Sequence, residues 1–380
     1  MTVALGQDDE RSISVMRDEI LTVPQVISDQ ASRLRVPLRR LAEGLDTEVT
    51  DLVLTGCGDS HFAGVGTRLA LQRATGLRVA APEALEFVRY DIRFVPTDPA
   101  PLLVALSYSG EVGRTIEAVS AAADRGWRTA ALTGRPEGRL AQTVQSTVLM
   151  SVPTLGFSPG TSTYVAMVTA LLVLAAELAR ARGRHAEADY IDEGLERAPA
   201  LARLTIERGE AAARTAAAWM ASAPTTTFLG AGPSRATAAF GAAKLFEGPQ
   251  RHGVTQDLEE WAHEQYFISG PDTPIVVVAP TGASRDRAAE LLAEMAFIQA
   301  PAILVSDEVS DEAARNAALT LPIEPGLDEA MSPLLTCLPL AQIAFFVAQK
   351  LGTRSYGFPS PEHQREHYET IHRATRGEPA

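Results

Sequence analysis

The sequence has few cysteines and no excess of positive charge. The 380 residues include only Cys57 and Cys337, too few for a disulfide framework. Acidic residues outnumber basic ones by 47 to 34, which gives a formal net charge of −13. A negative protein repels the phosphates of nucleic acids unless it carries a local basic patch, and the sequence shows none. We therefore expect neither a disulfide scaffold nor a nucleic-acid-binding protein.

Targeting and membrane segments are also missing from the sequence. The N-terminus lacks the basic and apolar regions of a signal peptide. The longest apolar run, Val165 to Leu178, is shorter than the roughly 20 residues that a bilayer-spanning helix needs. We expect a cytoplasmic protein with no membrane partner, in which this run is a buried core helix.

Nucleotide-binding motifs are absent as well. In TGCGDSHFAG, residues 55–64, Gly56 and Gly58 start a dinucleotide-like pattern, but the third glycine, Gly64, comes three positions after the expected 61. The Gly-Lys-Ser/Thr of a phosphate-binding P-loop does not occur. The sequence supports no metal, nucleotide or flavin cofactor.

Short apolar runs alternate with amphipathic helical stretches along the chain, which is typical of βαβ units and a parallel sheet. The pattern also repeats. VLTGCGDS is echoed by TFLGAGPS, and VALSYSG by VVAPTG, with 52 residues from Gly58 to Gly110 and 50 from Gly232 to Gly282. This predicts an α/β fold of two doubly wound parallel-sheet domains in tandem. The predicted segments are an N-terminal helical segment 1–45, domains 46–184 and 217–350, a helical connection 185–216 and a tail 351–380.

Hydroxyl side chains follow several predicted strands of the first half. Ser60 follows one strand, Ser107 and Ser109 follow another, and Ser162 and Thr163 precede the apolar helix. Free N–H groups and the helix dipole at such positions favour an anion. One such loop alone is commonly a Ser/Thr helix cap, but three together favour a phosphate monoester site.

These segments resemble the sugar isomerase (SIS) domains, most closely the isomerase half of glutamine–fructose-6-phosphate aminotransferase without its glutaminase domain. The resemblance is carried by GCGDS, by Ser107-Tyr-Ser-Gly-Glu111 followed by Thr115, by VMRDEILTVP, by SPGTSTYVAMVTALLVL and by FGAAKLFEG. It extends over nearly the whole chain. It implies two SIS domains, a sugar-phosphate substrate, a homodimer, and no glutamine-derived ammonia from this chain alone.

The resemblance also assigns site residues. It implies a phosphate group held by Ser60, Ser107, Tyr108, Ser109 and Thr115, and a sugar lined by Cys57, Gly58, Ser162 and Thr163. The sequence departs from the family at Tyr108, Val112, Tyr164 and Phe240, which leaves the identity of the sugar open. No sequence pattern makes Cys57 a nucleophile.

Lys244 and Glu247 are the candidate catalytic pair. They lie three residues apart and share one helix face ahead of a Gly248-Pro249 stop. Aldose–ketose isomerisation needs a carboxylate to carry a proton between C1 and C2 and a cation or acid to polarise the carbonyl. Spacing alone would fit a surface ion pair, but both positions coincide with the family's isomerisation residues.

His263 is the third candidate. It follows His252 by eleven residues, as in the family, where the second histidine acts from the neighbouring subunit; a structural histidine remains the alternative. In the tail, His363 and His367 have a zinc-compatible spacing, but the surrounding order matches neither common zinc motif, and a solvated helix is the simpler interpretation. One tail residue could instead close over the substrate.

Three functions stay open at this point. The first is an enzyme that isomerises an amino-sugar or ketose phosphate, or that adds or removes ammonia at C2. The second is a non-catalytic sugar-phosphate sensor, and the third is a synthase subunit that receives ammonia from a separate glutaminase. Retention of Lys244 and Glu247 favours an enzyme.

Overall fold

A computed structural model describes residues 13–45 and 49–375. Within these ranges the chain forms two compact units, each built around one parallel sheet. The first-sheet unit comprises 25–152, 163–197 and 358–375, and the second-sheet unit comprises 13–24, 153–162 and 198–357. Two parallel α/β sheets confirm the fold class that the alternating pattern predicts.

The first sheet has five strands in the order β2-β1-β3-β4-β5, all parallel. Its strands are β1 Asp51–Thr55, β2 Arg78–Ala80, β3 Leu102–Leu106, β4 Arg128–Thr133 and β5 Ser146–Leu149. The central strand β3 is buried at every residue, as expected when helices cover both faces of a parallel sheet.

The second sheet repeats this arrangement in the order β10-β9-β8-β6-β7. Its strands are β6 Thr225–Gly230, β7 His252–Asp257, β8 Ile275–Val278, β9 Ala302–Ser306 and β10 Leu319–Pro322. All four residues of β8 and all five of β9 are buried. Burial of each such aliphatic side chain contributes about 1.5–3 kcal/mol, so these strands form the core on which the loops rest.

The helices surround the two sheets, and the charged stretch between the two repeats forms one helix, α8. The helices are α1 Ile13–Arg33, α2 Arg35–Glu43, α3 Asp59–Thr75, α4 Ala84–Glu86, α5 Gly113–Ala123, α6 Arg139–Thr143, α7 Thr161–Ala181, α8 His185–Ser222, α9 Pro233–Glu247, α10 Leu258–His263, α11 Arg285–Phe297, α12 Asp311–Asn316, α13 Pro333–Leu351 and α14 Pro361–Glu366. Short 3₁₀ or π turns occupy Phe87–Asp91, Ile92–Phe94, Gln265–Ile268, Glu329–Met331 and His367–His372.

Helix α7 extends further than its apolar run. At 21 residues it is long and apolar enough to cross a membrane, and so is the 19-residue α13. Within the protein, however, 94% of the apolar stretch of α7 and 83% of that of α13 are buried. Both are core helices of this structure, as predicted for the run from Val165 to Leu178.

Candidate functional site

The loop after β1 contains a backbone turn that only glycine adopts easily. Gly58 has φ 55° and ψ −129° and directly precedes α3. At Gly56 a Cβ atom would lie 2.7 Å from the Cβ of Ser60 and 2.8 Å from the carbonyl oxygen of Leu106. The absence of a side chain therefore lets this loop approach the end of β3, and Ser60 lies against that junction.

The loop after β3 is organised by its own two serines. Ser107 is buried, and its Oγ accepts the Gly110 N–H at 3.1 Å. The Oγ of Ser109 lies 3.5 Å from that of Ser107 and accepts the Glu111 N–H at 3.4 Å. Ser109 itself is exposed. Ser107 thus shapes the loop, and Ser109 is the hydroxyl that a ligand can reach.

Tyr108 points away from these hydroxyls. Its ring lies on Gly134, where a Cβ atom would be 2.6 Å from the ring's Cζ. Its hydroxyl accepts the Val152 N–H at 3.1 Å, and its carbonyl accepts the Gly134 N–H at 2.9 Å. These contacts anchor the loop to the chain segments at Gly134 and Val152.

Cys57 and Thr115 connect the first loop to helix α5. The Sγ of Cys57 lies 3.9 Å from the Oγ1 of Thr115, which is fully buried. Cys57 is exposed in part, but burial of the thiol raises its pKa. The hydrogen bond with Thr115 and the charge of Arg114 lower the pKa by less than burial raises it. A raised pKa favours the protonated thiol over the nucleophilic thiolate.

The C-terminal segment covers the start of α5. A Cβ atom at Gly113 would overlap the carbonyl oxygen of Ala374. The Arg139 side chain donates to the Glu111 carbonyl at 3.0 Å and to the Arg373 carbonyl at 2.6 Å, and the Arg373 guanidinium lies 2.9 Å from the Glu111 carboxylate. The Arg114 side chain also donates to the Ala374 carbonyl, so the tail is bound next to the serine loop through three arginines and one carboxylate.

The start of α7 carries buried hydroxyls. Thr161 and Ser162 are 0% and 1% exposed, and within the described residues neither hydroxyl oxygen has a hydrogen-bond partner. Thr163 is half-buried. A buried hydroxyl without a partner costs about 1–3 kcal/mol, so such groups are characteristic of positions that a ligand or water satisfies.

Lys244 and Glu247 form an ion pair on α9. The Lys244 Nζ lies 2.6 Å from Glu247 Oε2 and 4.9 Å from the centre of the Phe240 ring. The Lys244 side chain is 0% exposed and that of Glu247 is 26% exposed. A buried cation needs a counter-charge, and the aromatic face adds further stabilisation. The carboxylate is the member of the pair that solvent reaches.

The end of α9 is held in place by the segment that follows α13. The Glu247 carbonyl accepts the Tyr356 N–H at 2.7 Å, and Thr353 Oγ1 donates to the Gly248 carbonyl at 3.2 Å. These bonds satisfy carbonyls that a helix end leaves free. The position of the Glu247 carboxylate is therefore defined by more than its own helix.

His263 lies in a solvent-exposed ion-pair group. Its side chain is 65% exposed, and Nε2 lies 3.2 Å from Glu259 Oε1 on the same helix. Glu259 also contacts Arg287 at 2.6 Å, and Arg287 followed by His263 lowers the pKa of Glu259. In the described residues, His263 thus has an acidic partner on its own helix and is open to solvent.

The second-sheet counterpart of the serine loop is filled by the protein's own carboxylates. The Ala283 N–H donates to Glu329 Oε2 at 3.2 Å, and the Thr281 N–H donates to Asp307 Oδ1 at 2.7 Å. A Cβ atom at Gly282 would lie 2.4 Å from the Glu329 carboxylate carbon. The two repeats therefore differ: serine hydroxyls organise the loop ending at Gly110, and carboxylates close the loop at Gly282.

The tail histidines do not form a metal centre among the described residues. Within 13–45 and 49–375 no group of three or more His, Cys, Asp or Glu side chains is placed to hold a metal ion. His363 Nδ1 lies 2.8 Å from Ser360 Oγ, and His367 stacks against His372 with ring centres 4.5 Å apart. Burial, followed by the charge of His367, lowers the pKa of His372.

The sequence matches a known family over two segments with this repeated geometry. The SIS domain profile covers residues 48–177 and 220–345, one match for each sheet. The chain belongs to the SIS domain family. The two matches agree with the internal repeat and place the serine loop in the first SIS segment and Lys244 and Glu247 in the second.

SIS proteins of known name resemble the chain along most of its length. It is 29% identical over 300 residues to glutamine–fructose-6-phosphate aminotransferase of Caulobacter vibrioides, covering 78% of this chain and 48% of that protein. The same enzyme of Mycolicibacterium paratuberculosis is 28% identical over 351 residues, covering 89% and 55%. The chain thus spans about half the length of the curated relatives it matches.

Solved SIS structures show the same fold. The C-terminal domain of glucosamine-fructose-6-phosphate aminotransferase from Francisella tularensis superposes with a TM-score of 0.77 at 19% identity, covering 89% of this chain and 97% of that one. Tagatose-6-phosphate ketose/aldose isomerase from Escherichia coli gives 0.71 at 19% identity, covering 89% and 93%. At such identities the likeness concerns the fold.

Sequence reasoning missed the residues that hold the serine loop and the loop at Gly282 in place. Arg139 and Arg373 at the serine loop, and Glu329 at the second loop, are far from their partners in sequence, and no local pattern marks them. The motif glycines Gly56 and Gly282 are the sequence signal for these contacts. Each predicts that another part of the chain lies close to the backbone, but not which part.

We predict that Cys57 resists alkylation in the folded protein. Because burial raises its pKa, iodoacetamide at neutral pH should modify it more slowly than in the urea-unfolded chain, as followed by mass spectrometry. Thr115→Val, which removes the hydrogen bond that opposes the shift, should slow the reaction further. Equal rates in the folded and unfolded protein would contradict the environment described for this thiol.

Proposed function

We propose that the chain is a sugar-phosphate enzyme that transfers a proton between C1 and C2 of a hexose phosphate, as an aldose–ketose isomerase or an aminosugar-phosphate deaminase. The observation that carries this proposal is the Glu247 carboxylate, which is 26% exposed and lies 2.6 Å from the Lys244 ammonium. Membership of the SIS family supports the sugar-phosphate class of substrate. The names of the relatives, an isomerising aminotransferase and a ketose/aldose isomerase, point to the same chemistry.

In this proposal Ser109 and the loop backbone bind the phosphate. Ser109 is the exposed hydroxyl of its loop, and Ser107 holds the loop in shape through the Gly110 N–H. Ser60, Thr115 and the backbone at Tyr108 complete the phosphate-binding set, and Cys57, Gly58, Ser162 and Thr163 line the sugar. Hydrogen bonds from hydroxyls and main-chain N–H groups are well suited to phosphate oxygens.

Glu247 is the proposed base. Its carboxylate removes the proton from C2 of an open-chain aldose and returns it to C1, while the C1 carbonyl becomes a hydroxyl and the C2 hydroxyl becomes a carbonyl. The Lys244 ammonium stabilises the negative oxygen that develops in the enediolate between these steps. With an amine at C2, the same proton transfer yields a C2 imine, which water hydrolyses to the ketose and ammonia.

A sensor is the second candidate, and the complete burial of Lys244 is the observation that favours it. A cation with 0% exposure that already contacts Glu247 and Phe240 is well suited to a structural role. In a sensor the sugar phosphate would bind and leave unchanged. An ammonia-dependent synthase subunit is the remaining alternative, and it differs from an isomerase in requiring ammonium.

A cytoplasmic homodimer is the assembly we propose. His263 is exposed and held near Glu259, which suits a histidine that acts on the substrate of a neighbouring subunit. Light scattering of the eluting protein should then give twice the 40.5 kDa chain mass. A monomer at working concentrations that still turns over substrate would remove this role of His263.

Replacement of Glu247 by Gln should abolish proton transfer. Loss of a general base typically costs about 10²–10⁴-fold in rate, and proton NMR in D₂O would follow deuterium entry at C1 or C2 of fructose 6-phosphate or glucosamine 6-phosphate. Glu207→Gln, at a surface ion pair with Arg203, is the matched control. Unchanged exchange in the Glu247 variant would refute its role as base. Dependence on ammonium, or its release, separates the synthase and deaminase from the isomerase.

Replacement of Ser109 by Ala should weaken binding of the sugar phosphate. A hydrogen bond to a charged group contributes about 1.5–3 kcal/mol, so the dissociation constant measured by calorimetry should rise about 10- to 100-fold. Ser120→Ala, on helix α5, removes a hydroxyl that bonds only to its own helix and should leave the affinity unchanged. An unaltered affinity in the Ser109 variant would assign the phosphate to another loop.

A further inference from the structure

A buried carboxylate lies at the start of helix α7. Glu19, on helix α1, is 6% exposed, and its Oε2 accepts the Thr161 N–H at 3.0 Å. Thr161 is the first residue of a 21-residue helix, whose N-terminus carries partial positive charge and free N–H groups. The same N–H also donates to the Pro159 carbonyl at 2.8 Å, so the distant helix supplies a second, charged acceptor for the start of α7.

The groups beside this carboxylate are hydroxyls that the described protein leaves unsatisfied. Thr161 Oγ1 and Ser162 Oγ are buried and have no hydrogen-bond partner within the described residues. Hydroxyls of this kind can donate to and accept from the hydroxyls of a sugar. The start of α7 therefore combines a fixed backbone with polar groups that still need partners.

The charge of Glu19 limits which part of a ligand suits this place. A carboxylate at a helix N-terminus already neutralises the partial positive charge that would attract a phosphate, and two anions repel one another. Uncharged hydroxyls do not meet this repulsion. The start of α7 suits the polyol part of a sugar phosphate and not its phosphate group.

We propose that Glu19 is a positioning residue that fixes the start of α7, so that the buried Ser162 hydroxyl can bond a sugar hydroxyl. This inference rests on the proposed function. It adds a residue that acts through the backbone of Thr161 and does not itself touch the substrate.

The test compares Glu19→Ala with Glu19→Gln in the full chain. The Ala variant loses the carboxylate acceptor and leaves the Thr161 N–H with the Pro159 carbonyl alone. Affinity for fructose 6-phosphate measured by calorimetry should then fall about tenfold, the scale of losing one helix cap. The Gln variant keeps a side-chain oxygen and should stay within about threefold of the native affinity. Affinity for inorganic phosphate, which needs only the serine loop, should be the same in all three proteins.

A second variant separates positioning from general loss of stability. Gln342→Leu removes a buried side-chain bond to the Ile206 carbonyl, and it should lower the melting temperature without changing affinity for fructose 6-phosphate. Unchanged sugar-phosphate affinity in Glu19→Ala, or equal weakening of inorganic phosphate, would overturn the inference. If the native chain binds no sugar phosphate at all, it is the proposed function that fails, and the inference with it.

Discussion

The burial of one cation governs much of the second-sheet unit. An ammonium taken out of water costs several kcal/mol unless a counter-charge and good geometry offset the loss. Lys244 has both, through Glu247 and the Phe240 face, and the bonds from Thr353 and Tyr356 hold the helix end that carries the carboxylate. The segment after α13 therefore helps to hold the end of helix α9, which carries the counter-charge of Lys244.

The two repeats share a glycine-containing loop but satisfy its N–H groups with different side chains. Both sheets place a glycine-containing loop after a buried central strand and before a helix, where N–H groups require acceptors. In the first repeat those acceptors are the hydroxyls of Ser107 and Ser109, which can exchange partners. In the second they are the carboxylates of Asp307 and Glu329, which fill the space at Gly282. The difference lies in side chains and not in topology.

The sequence was sufficient to predict the fold because its signals are local and repeated. Apolar runs of four to six residues and two loops at matching offsets specify parallel sheets, and the structure contains both. The SIS family follows from the same motifs. The supporting contacts could not be predicted from the sequence. The bond from Thr161 to Glu19 spans 142 residues, and that from Arg139 to Arg373 spans 234. Such pairs depend on three-dimensional packing that no local spacing encodes. The roles of the individual site residues stay predictions.

At Gly113, the first residue of helix α5, the chain packs directly against the Ala374 carbonyl of the C-terminal tail. With no Cβ at Gly113, a main-chain carbonyl of the tail occupies the volume that any other residue would fill. The serine loop and the chain's last described residues therefore constrain each other's substitutions: a larger residue at position 113 is compatible only with a tail that follows another path. Homologues that differ at this one position should differ in their tails as well. A glycine at this position therefore indicates a C-terminal segment that packs against the start of α5.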